Sequence, residues 1–141
     1  IDLTNFMNTN YTELLEQKSL KLNFNCPLDN NLKVKINGAA IRNQVLNNII
    51  SNAIKFSPIG HEITFEINKD SKDLIIKITD QGDGIPKEMI NGLFDPAKSS
   101  STLGTNGEKG TGFGMPIAKL ILEQQNGSLS FNSKIASFKI F

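Results

Sequence analysis

The sequence predicts an α+β, two-layer sandwich, with a mixed sheet of about five strands covered on one face by about three helices. Three observations predict it: short stretches that alternate polar and apolar residues, helical patterns between them, and breaks rich in glycine, proline or asparagine. At 141 residues the chain is long enough for one domain that buries roughly 70% of its unfolded-state surface. We therefore expect a single domain over residues 1–141.

The first half of the chain alternates helical and strand patterns. Apolar residues at loosely helical spacing predict a first helix over 3–18. Alternation predicts strands over 21–26 and 32–36, followed by a longer helix over 39–56 that ends at the break over 57–60. These elements are the first contributions to the predicted sheet and its covering helices.

The second half supplies the remaining elements. They are an antiparallel hairpin over 63–68 and 74–79, a short helix over 86–93, an amphipathic helix over 112–125 with a cap at 126–127, and closing strands over 129–131 and 137–141. Between the two helices, residues 96–110 contain almost no large apolar side chain and bury too little surface to order strongly. We expect a mobile loop there.

Composition excludes several classes of function. The 15 Lys and Arg residues against 14 Asp and Glu give a net charge of +1, which offers no electrostatic surface for nucleic acid or an anionic membrane. The single cysteine, Cys26, cannot form an internal disulfide, and no paired Cys/His spacing predicts a zinc site. No apolar run approaches the ~20 residues of a membrane span. We expect a cytoplasmic domain without direct membrane contact, whose longer parent protein is free to carry a membrane anchor.

The helix predicted over 39–56 carries an apolar stripe and, beside it, a polar stripe. Beside its apolar stripe, Gln44, Asn48, Asn52 and Lys55 form a polar stripe at spacings of four, four and three. Carboxamides and an ammonium one turn apart can coordinate a hard cation through oxygen and contact phosphates through nitrogen. A solvated helix face has the same pattern, so this helix alone leaves both interpretations open.

Two glycine-containing segments add candidate ligand contacts. Asp80 directly follows a predicted strand, and Gly82 and Gly84 behind it provide a backbone that a planar ligand can approach closely. An Asx-type turn is the alternative for Asp80. The segment over 107–115 opens a helix, where free N–H groups and the helix dipole favour phosphate. Its spacing fits neither a Walker A loop nor a dinucleotide fingerprint.

Four segments, taken in order, resemble the motifs of one family. They are NNIISNAIKFS, DQGDGIP, LFDPAKSS and GEKGTGFGM, which are similar to the N box, first glycine box, F box and second glycine box of sensor histidine kinase catalytic domains. The resemblance implies the Bergerat-type ATP fold shared with gyrase, certain chaperones and mismatch-repair ATPases. That fold agrees with the sandwich predicted from the patterns.

The resemblance also implies a role for each matching residue. Asn52 matches the asparagine that holds Mg²⁺ at the phosphates, and Asn48 and Lys55 beside it are the implied catalytic residues. Asp80 matches the aspartate that accepts the adenine amino group. The other implied nucleotide contacts are Gly82, Gly84, Ile85, Gly110, Thr111, Gly112, Phe113 and Gly114. The family's cofactors, ATP and Mg²⁺, are expected with them.

Three positions depart from the family's usual pattern. Phe113 stands where leucine is usual, and both side chains are apolar. Ala97 replaces a common phenylalanine, and this difference bears on the docking of the ATP lid over 96–110. Phe94 would belong to the hinge of that lid. Asn37 stands where an aspartate often precedes the N-box helix, which bears on how that helix begins.

Position 48 distinguishes transfer from hydrolysis. Hydrolytic relatives place a glutamate there as general base for water, whereas Asn48 accepts no proton at neutral pH. The resemblance therefore implies transfer of the γ-phosphate to a protein. The only histidine, His61, lies at a strand start and is expected to be an ordinary surface residue. The implied partners are a dimerisation hairpin carrying the phosphoacceptor histidine and, downstream, a response regulator.

Two alternatives share the same fold. An anti-sigma-type kinase would phosphorylate a serine on a partner protein, and a non-catalytic module would sense ATP or dock only. Asn52, Asp80 and both glycine boxes are intact, which argues against the second alternative. The abrupt start at Ile1 resembles the junction after a kinase hairpin and argues against the first.

Overall fold

The computed structural model describes residues 3–27, 35–97, 113–132 and 135–140. The strands are β1 Lys21–Asn25, β2 Glu62–Asp70, β3 Asp73–Thr79, β4 Ser128–Asn132 and β5 Ile135–Ile140. The helices are α1 Leu3–Gln17, α2 Gly38–Ala40, a π-helical segment Ile41–Leu46, α3 Asn47–Phe56, α4 Lys87–Ile90 and α5 Gly114–Glu123. From α2 to α3 the chain is one continuous helix, called here the long helix.

The strands form one mixed sheet in the order β1-β2-β3-β5-β4. β1 pairs with β2 in parallel, and the remaining neighbours pair antiparallel. A parallel pair needs a crossover connection, and the long helix lies in the connection between β1 and β2. The α+β sandwich and the hairpin expected from alternation are confirmed.

One face of the sheet packs against helices. Its buried residues are Ile63, Phe65, Ile76, Ile78 and Leu129. They meet buried residues of α1, the long helix and α5, chief among them Met7, Leu15, Ile41, Val45, Leu46, Ile49, Ile50, Ala53, Ile54, Met115, Ala118 and Leu122. α4 contributes no buried residue. The expected three covering helices are therefore α1, the long helix and α5.

Polar side chains and turn residues fix the helix ends. Asn37 caps the long helix by accepting a hydrogen bond from the Ala40 N–H at 3.1 Å, as an aspartate would. At the end of α5, Asn126 adopts a left-handed conformation with φ 58°. The Gly127 N–H then donates to the Leu122 carbonyl at 2.8 Å, the longer bond of a Schellman motif. The expected cap at 126–127 is confirmed.

One expected strand is not found in its described part, one expected loop lies mostly outside the described residues, and one helical feature was not expected. Of the strand expected over 32–36, residues 32–34 lie outside the described residues, and Lys35 and Ile36 form no strand. The chain bends at Ile36 instead, and the next backbone N–H, that of Asn37, donates to the Gln125 side chain at 2.6 Å rather than to a neighbouring strand. The loop expected over 96–110 lies outside the described residues apart from Pro96 and Ala97. The π-helical segment was not predicted.

Tyr11 joins α1 to the long helix from a buried position. It is 5% exposed, and its hydroxyl donates to the Asn47 side-chain oxygen. Burial disfavours the charged phenolate and raises the pKa of Tyr11 to about 12. The hydroxyl is therefore a permanent donor at neutral pH.

We expect the Tyr11 phenol to titrate at about pH 12 in the folded chain, against 10.0 for an ordinary tyrosine in the urea-unfolded chain. The chain has one tyrosine and no tryptophan, so phenolate absorbance reports this residue alone. Because the folded-state pKa is the higher one, the contribution of Tyr11 to the free energy of unfolding is complete below the unfolded pKa and is lost as pH rises toward the folded one. Tyr11→Phe should remove that part of the alkaline pH dependence. Identical titration in both states would contradict the burial.

Candidate functional site

The polar stripe of the long helix lies beside the buried stripe, as its spacing predicts. Ile49, Ile50, Ala53 and Ile54 of α3 are buried against the core. Asn48, Asn52 and Lys55 are half-buried and Gln44 is exposed. The candidate residues therefore reach the surface from a helix whose other side is fixed by packing.

The π-helical segment ends at Leu46, two residues before Asn48, and the Asn48 side chain bonds to a carbonyl within it. The Asn47 N–H bonds to the Arg42 carbonyl five residues earlier, the spacing that defines a π turn. Asn48 Nδ2 donates to the Gln44 carbonyl at 2.5 Å. The nitrogen of the carboxamide thus bonds within the helix, which orients its oxygen outward.

That oxygen lies against the start of α5. A Cβ at Gly114 would lie 2.9 Å from Asn48 Oδ1 and 3.1 Å from its Cγ. Such separations are shorter than van der Waals contact, so glycine permits the close approach of the two helices here. The structure thereby brings the N box to Gly114, within the part of the second glycine box that it describes.

The first glycine box lies against the opposite end of α3. A Cβ at Gly82 would lie 2.5 Å from the Phe56 carbonyl oxygen, a backbone atom that cannot move cheaply. The Gly82 N–H also donates to Asp80 Oδ1 at 2.8 Å. The Asx-type turn considered for Asp80 does form, and it orients a half-buried carboxylate directly after β3. A carboxylate has acceptor capacity beyond one such bond.

The other sequence-predicted residues occupy less definite positions. The Lys55 ammonium lies 4.9 Å from the centre of the Phe56 ring. Gly84 and Ile85 are half-buried beside the Asx turn, and Phe113 is 50% exposed at the cap of α5. Gly110, Thr111 and Gly112 lie outside the described residues.

The F box is anchored on α5 and β4. Phe94 packs at a tilt against Phe131, with ring centres 5.7 Å apart, and Lys119 Nζ lies 5.0 Å from the Phe94 ring centre. Asp95 Oδ1 accepts from the Ala97 N–H at 2.9 Å. Phe131 and Lys119 gave no sequence signal for this contact, because nothing local relates them to the F box. Phe94 is therefore held against α5 and β4 directly before Asp95, Pro96 and Ala97.

The donor set suits Mg²⁺ shared with phosphates rather than a protein cage. Among the residues that the structure describes, no three His, Cys, Asp or Glu side chains cluster as metal ligands. Magnesium bound with substrate phosphates takes only one or two protein ligands and keeps several waters. The half-buried Asn52 carboxamide supplies one hard oxygen of that kind. The residues present therefore fit the ion.

One face of α5 carries apolar side chains that the core does not cover. Phe113, Ile117 and Leu120 are 50%, 40% and 54% exposed, at the i, i+4, i+7 spacing of one helix face. This face begins at the cap of α5, beside Asn48.

No described helix is long and apolar enough to cross a membrane.

Comparison with known proteins agrees with this geometry. A family profile described as histidine kinase-, DNA gyrase B- and HSP90-like ATPase matches residues 39–140. Sensor histidine kinase RcsC of Salmonella typhimurium strain LT2 is 34% identical over 94% of this chain, which spans 14% of that relative. Sensor histidine kinase WalK of Bacillus subtilis strain 168 is 36% identical over 83% of this chain, which spans 19% of it.

Solved structures give the same fold. The nucleotide-free catalytic domain of histidine kinase ThkA matches with a TM-score of 0.80 and 22% identity, over 99% of this chain and 92% of that one. A complex of ThkA with the response regulator TrrA matches with a TM-score of 0.73 and 19% identity, over 99% of this chain and 40% of that one. The chain belongs to the histidine kinase-, DNA gyrase B- and HSP90-like ATPase family and is a histidine-kinase-type catalytic domain within it.

Proposed function

We propose that the chain binds ATP with Mg²⁺ and donates the γ-phosphate to a histidine on a helical hairpin outside this sequence. One observation carries the proposal: Gly114 contacts the long helix at Asn48, and Gly82 contacts it at Phe56. These contacts lie eight residues apart, about 12 Å along an α-helix, a length that an adenine nucleotide can bridge. Asn52 lies midway between them.

The adenine end is assigned to the first glycine box. Asp80 accepts the adenine amino group, and Gly82, Gly84 and Ile85 border the ring. The Asx turn supports this assignment, because it fixes one carboxylate oxygen on the Gly82 N–H and leaves the group acceptor capacity for a ligand.

The phosphate end is assigned to the start of α5 and the residues before it. Gly110, Thr111, Gly112, Phe113 and Gly114 would supply backbone N–H groups, and the positive end of the α5 dipole favours phosphate there. Asn52 holds Mg²⁺ against these phosphates, with Lys55 beside it. When bound, the ion neutralises charge on the transferring phosphoryl group.

Asn48 supports transfer over hydrolysis. A carboxamide offers no base for water, and here its two polar atoms already face the Gln44 carbonyl and Gly114. Its role is to hold the N box against the second glycine box. Positioning and the metal then contribute most of the catalysis.

The partner surface is assigned to the exposed face of α5. Phe113, Ile117 and Leu120 present a helical apolar stripe that starts at the phosphate end of the site. An apolar helical hairpin docked there would bring its histidine to the γ-phosphate. His61 instead lies in the connection after α3, at the adenine end. We propose a cytoplasmic location within a longer sensor kinase, and a response regulator as the later phosphate acceptor; the complex of ThkA with TrrA supports this class of partner.

Phosphate transfer in trans tests the proposal. The chain, Mg²⁺ and γ-labelled ATP are mixed with a separately produced hairpin of the parent kinase. We expect acid-labile label on the hairpin histidine and none on the chain alone. Acid-labile label on His61 would refute transfer to an external acceptor, and acid-stable label on a partner serine would show an anti-sigma-type kinase. ATP binding without any transfer would favour the ATP-sensing alternative.

A further inference from the structure

A buried lysine connects α1 to the end of α3. Lys18 is 3% exposed, although lysine is among the residues least often buried. Its ammonium donates to the carbonyls of Ile54, Lys55 and Ser57 at 2.8, 2.9 and 3.1 Å. An ammonium has three donors, and these three carbonyls match that number.

The three carbonyls belong to the C-terminal turn of α3 and the residue after it. The last carbonyls of a helix lack intrahelical partners and form the negative end of the helix dipole. A cation there both satisfies them and interacts favourably with the dipole, which makes burial of the lysine tolerable. The Lys18 carbonyl also accepts from the Gly60 N–H at 2.8 Å, so both parts of this residue hold the connection after α3.

The carbonyl of Phe56, which lies among these three in sequence, faces the Asp80–Gly82 turn. Lys18 binds the carbonyls of residues 54, 55 and 57, whereas the carbonyl of Phe56 lies where it would be 2.5 Å from a Cβ at Gly82. The distance between α3 and the Asp80–Gly82 turn therefore depends on how this helix turn is held. A small displacement of the turn would press on the Gly82 backbone or open a gap behind it.

A second polar contact aligns the same two helices. Tyr11 donates to Asn47, and Lys18 donates to Ile54, so the two contacts lie seven residues apart on both helices. Lys18 directly follows α1, so these matched separations fit α1 and α3 running in the same direction. The two contacts therefore join α1 to α3 near both ends of α3.

We propose that Lys18 is a positioning residue for adenine recognition, which holds the C-terminal turn of α3 at the separation from Gly82 that aims the Asp80 carboxylate at the base. The inference rests on the proposed function. It does not require Lys18 to touch the nucleotide, since the lysine acts through the Phe56 carbonyl and the Asx turn.

The experiment measures adenine selectivity in Lys18→Met. Calorimetry with Mg²⁺ should show wild-type chain binding ATP more tightly than GTP, because Asp80 accepts from the adenine amino group and guanine carries a carbonyl there. We expect Lys18→Met to lose about tenfold in ATP affinity while GTP affinity changes little, so that the ATP/GTP ratio falls. An unchanged ratio in a folded Lys18→Met would overturn the inference.

Two further variants separate positioning from general stability. Leu15→Ala removes core packing of α1 one turn before Lys18, and it should lower the urea midpoint without changing the ATP/GTP ratio. Lys18→Gln retains amide donors without charge and should give an intermediate ratio even if the methionine variant does not fold. A wild-type ratio in Lys18→Gln, or an equal fall in Leu15→Ala, would also overturn the inference. Absence of ATP binding by the wild-type chain would instead refute the proposed function.

Discussion

Asp80→Ala is expected to weaken ATP binding roughly tenfold to 150-fold, because a hydrogen bond to a charged group contributes about 1.5–3 kcal/mol. Asp80 is half-buried at the end of β3, and its carboxylate is already oriented by the Gly82 N–H. A preoriented acceptor loses little conformational freedom when the adenine amino group binds. Calorimetric titration with ATP and Mg²⁺ gives the dissociation constant directly.

Two matched variants isolate the contribution of the ligand contact. Asp83→Ala removes the same charge from an exposed position in the same segment, and it should bind ATP as the wild-type chain does. Asp80→Asn retains a side-chain oxygen for the Gly82 N–H and removes the charge, so it should bind with intermediate affinity. An unchanged dissociation constant in Asp80→Ala would refute the assignment of the adenine end.

Much of the fold was predictable because its signals are local. The hairpin of β2 and β3 follows from alternation on both sides of a polar turn, and the long helix follows from apolar residues at helical spacing. The parallel pairing of β1 with β2 joins segments separated by the long helix, so no local pattern specifies it. The π-helical segment also has no local signal, because its apolar spacing resembles that of an ordinary helix.

The candidate site also combines features that the sequence predicts with contacts that it does not predict. Motif order predicted four segments as candidate nucleotide contacts, and the structure brings the N box to Gly82 of the first glycine box and to Gly114 of the second. The contacts themselves join distant residues: Gly82 meets Phe56 through a backbone carbonyl, and Gly114 meets Asn48. The sequence left two interpretations of Asp80 open, an Asx turn and a ligand contact. The structure shows the Asx turn, and this turn does not exclude a ligand contact.

Lys18 shows why a buried cation escapes sequence analysis. It continues the buried stripe of α1 after Met7, Tyr11 and Leu15, at spacings of four, four and three. A lysine at the end of a helix ordinarily extends its ammonium into water. Only the approach of three carbonyls from α3 and its connection explains why this one does not.

Asn52→Ala is expected to reduce phosphate transfer to the hairpin at least about 100-fold, since metal stabilisation of transferring charge contributes several kcal/mol. Asn52 lies midway between the two glycine contacts, and we assign its carboxamide oxygen to the ion. Substitution by alanine removes that ligand without disturbing the buried stripe, which occupies the other side of α3. Label on the hairpin histidine, followed over time at fixed Mg²⁺, measures the loss.

If Asn52 anchors the metal, the Asn52→Ala variant should differ from the wild-type chain in its Mg²⁺ dependence as well as in its rate of transfer. Asn43→Ala is the matched control, because it makes the same substitution at an exposed position of the long helix and should transfer at the wild-type rate. Asn52→Ala should remain folded with an unchanged urea midpoint, and raising the Mg²⁺ concentration should recover part of its transfer if the ion has lost a ligand rather than the nucleotide. Since we assign the adenine to Asp80 and not to Asn52, ADP without Mg²⁺ should bind this variant as it binds the wild-type chain. Wild-type transfer by Asn52→Ala at limiting Mg²⁺ would show that the ion is held elsewhere.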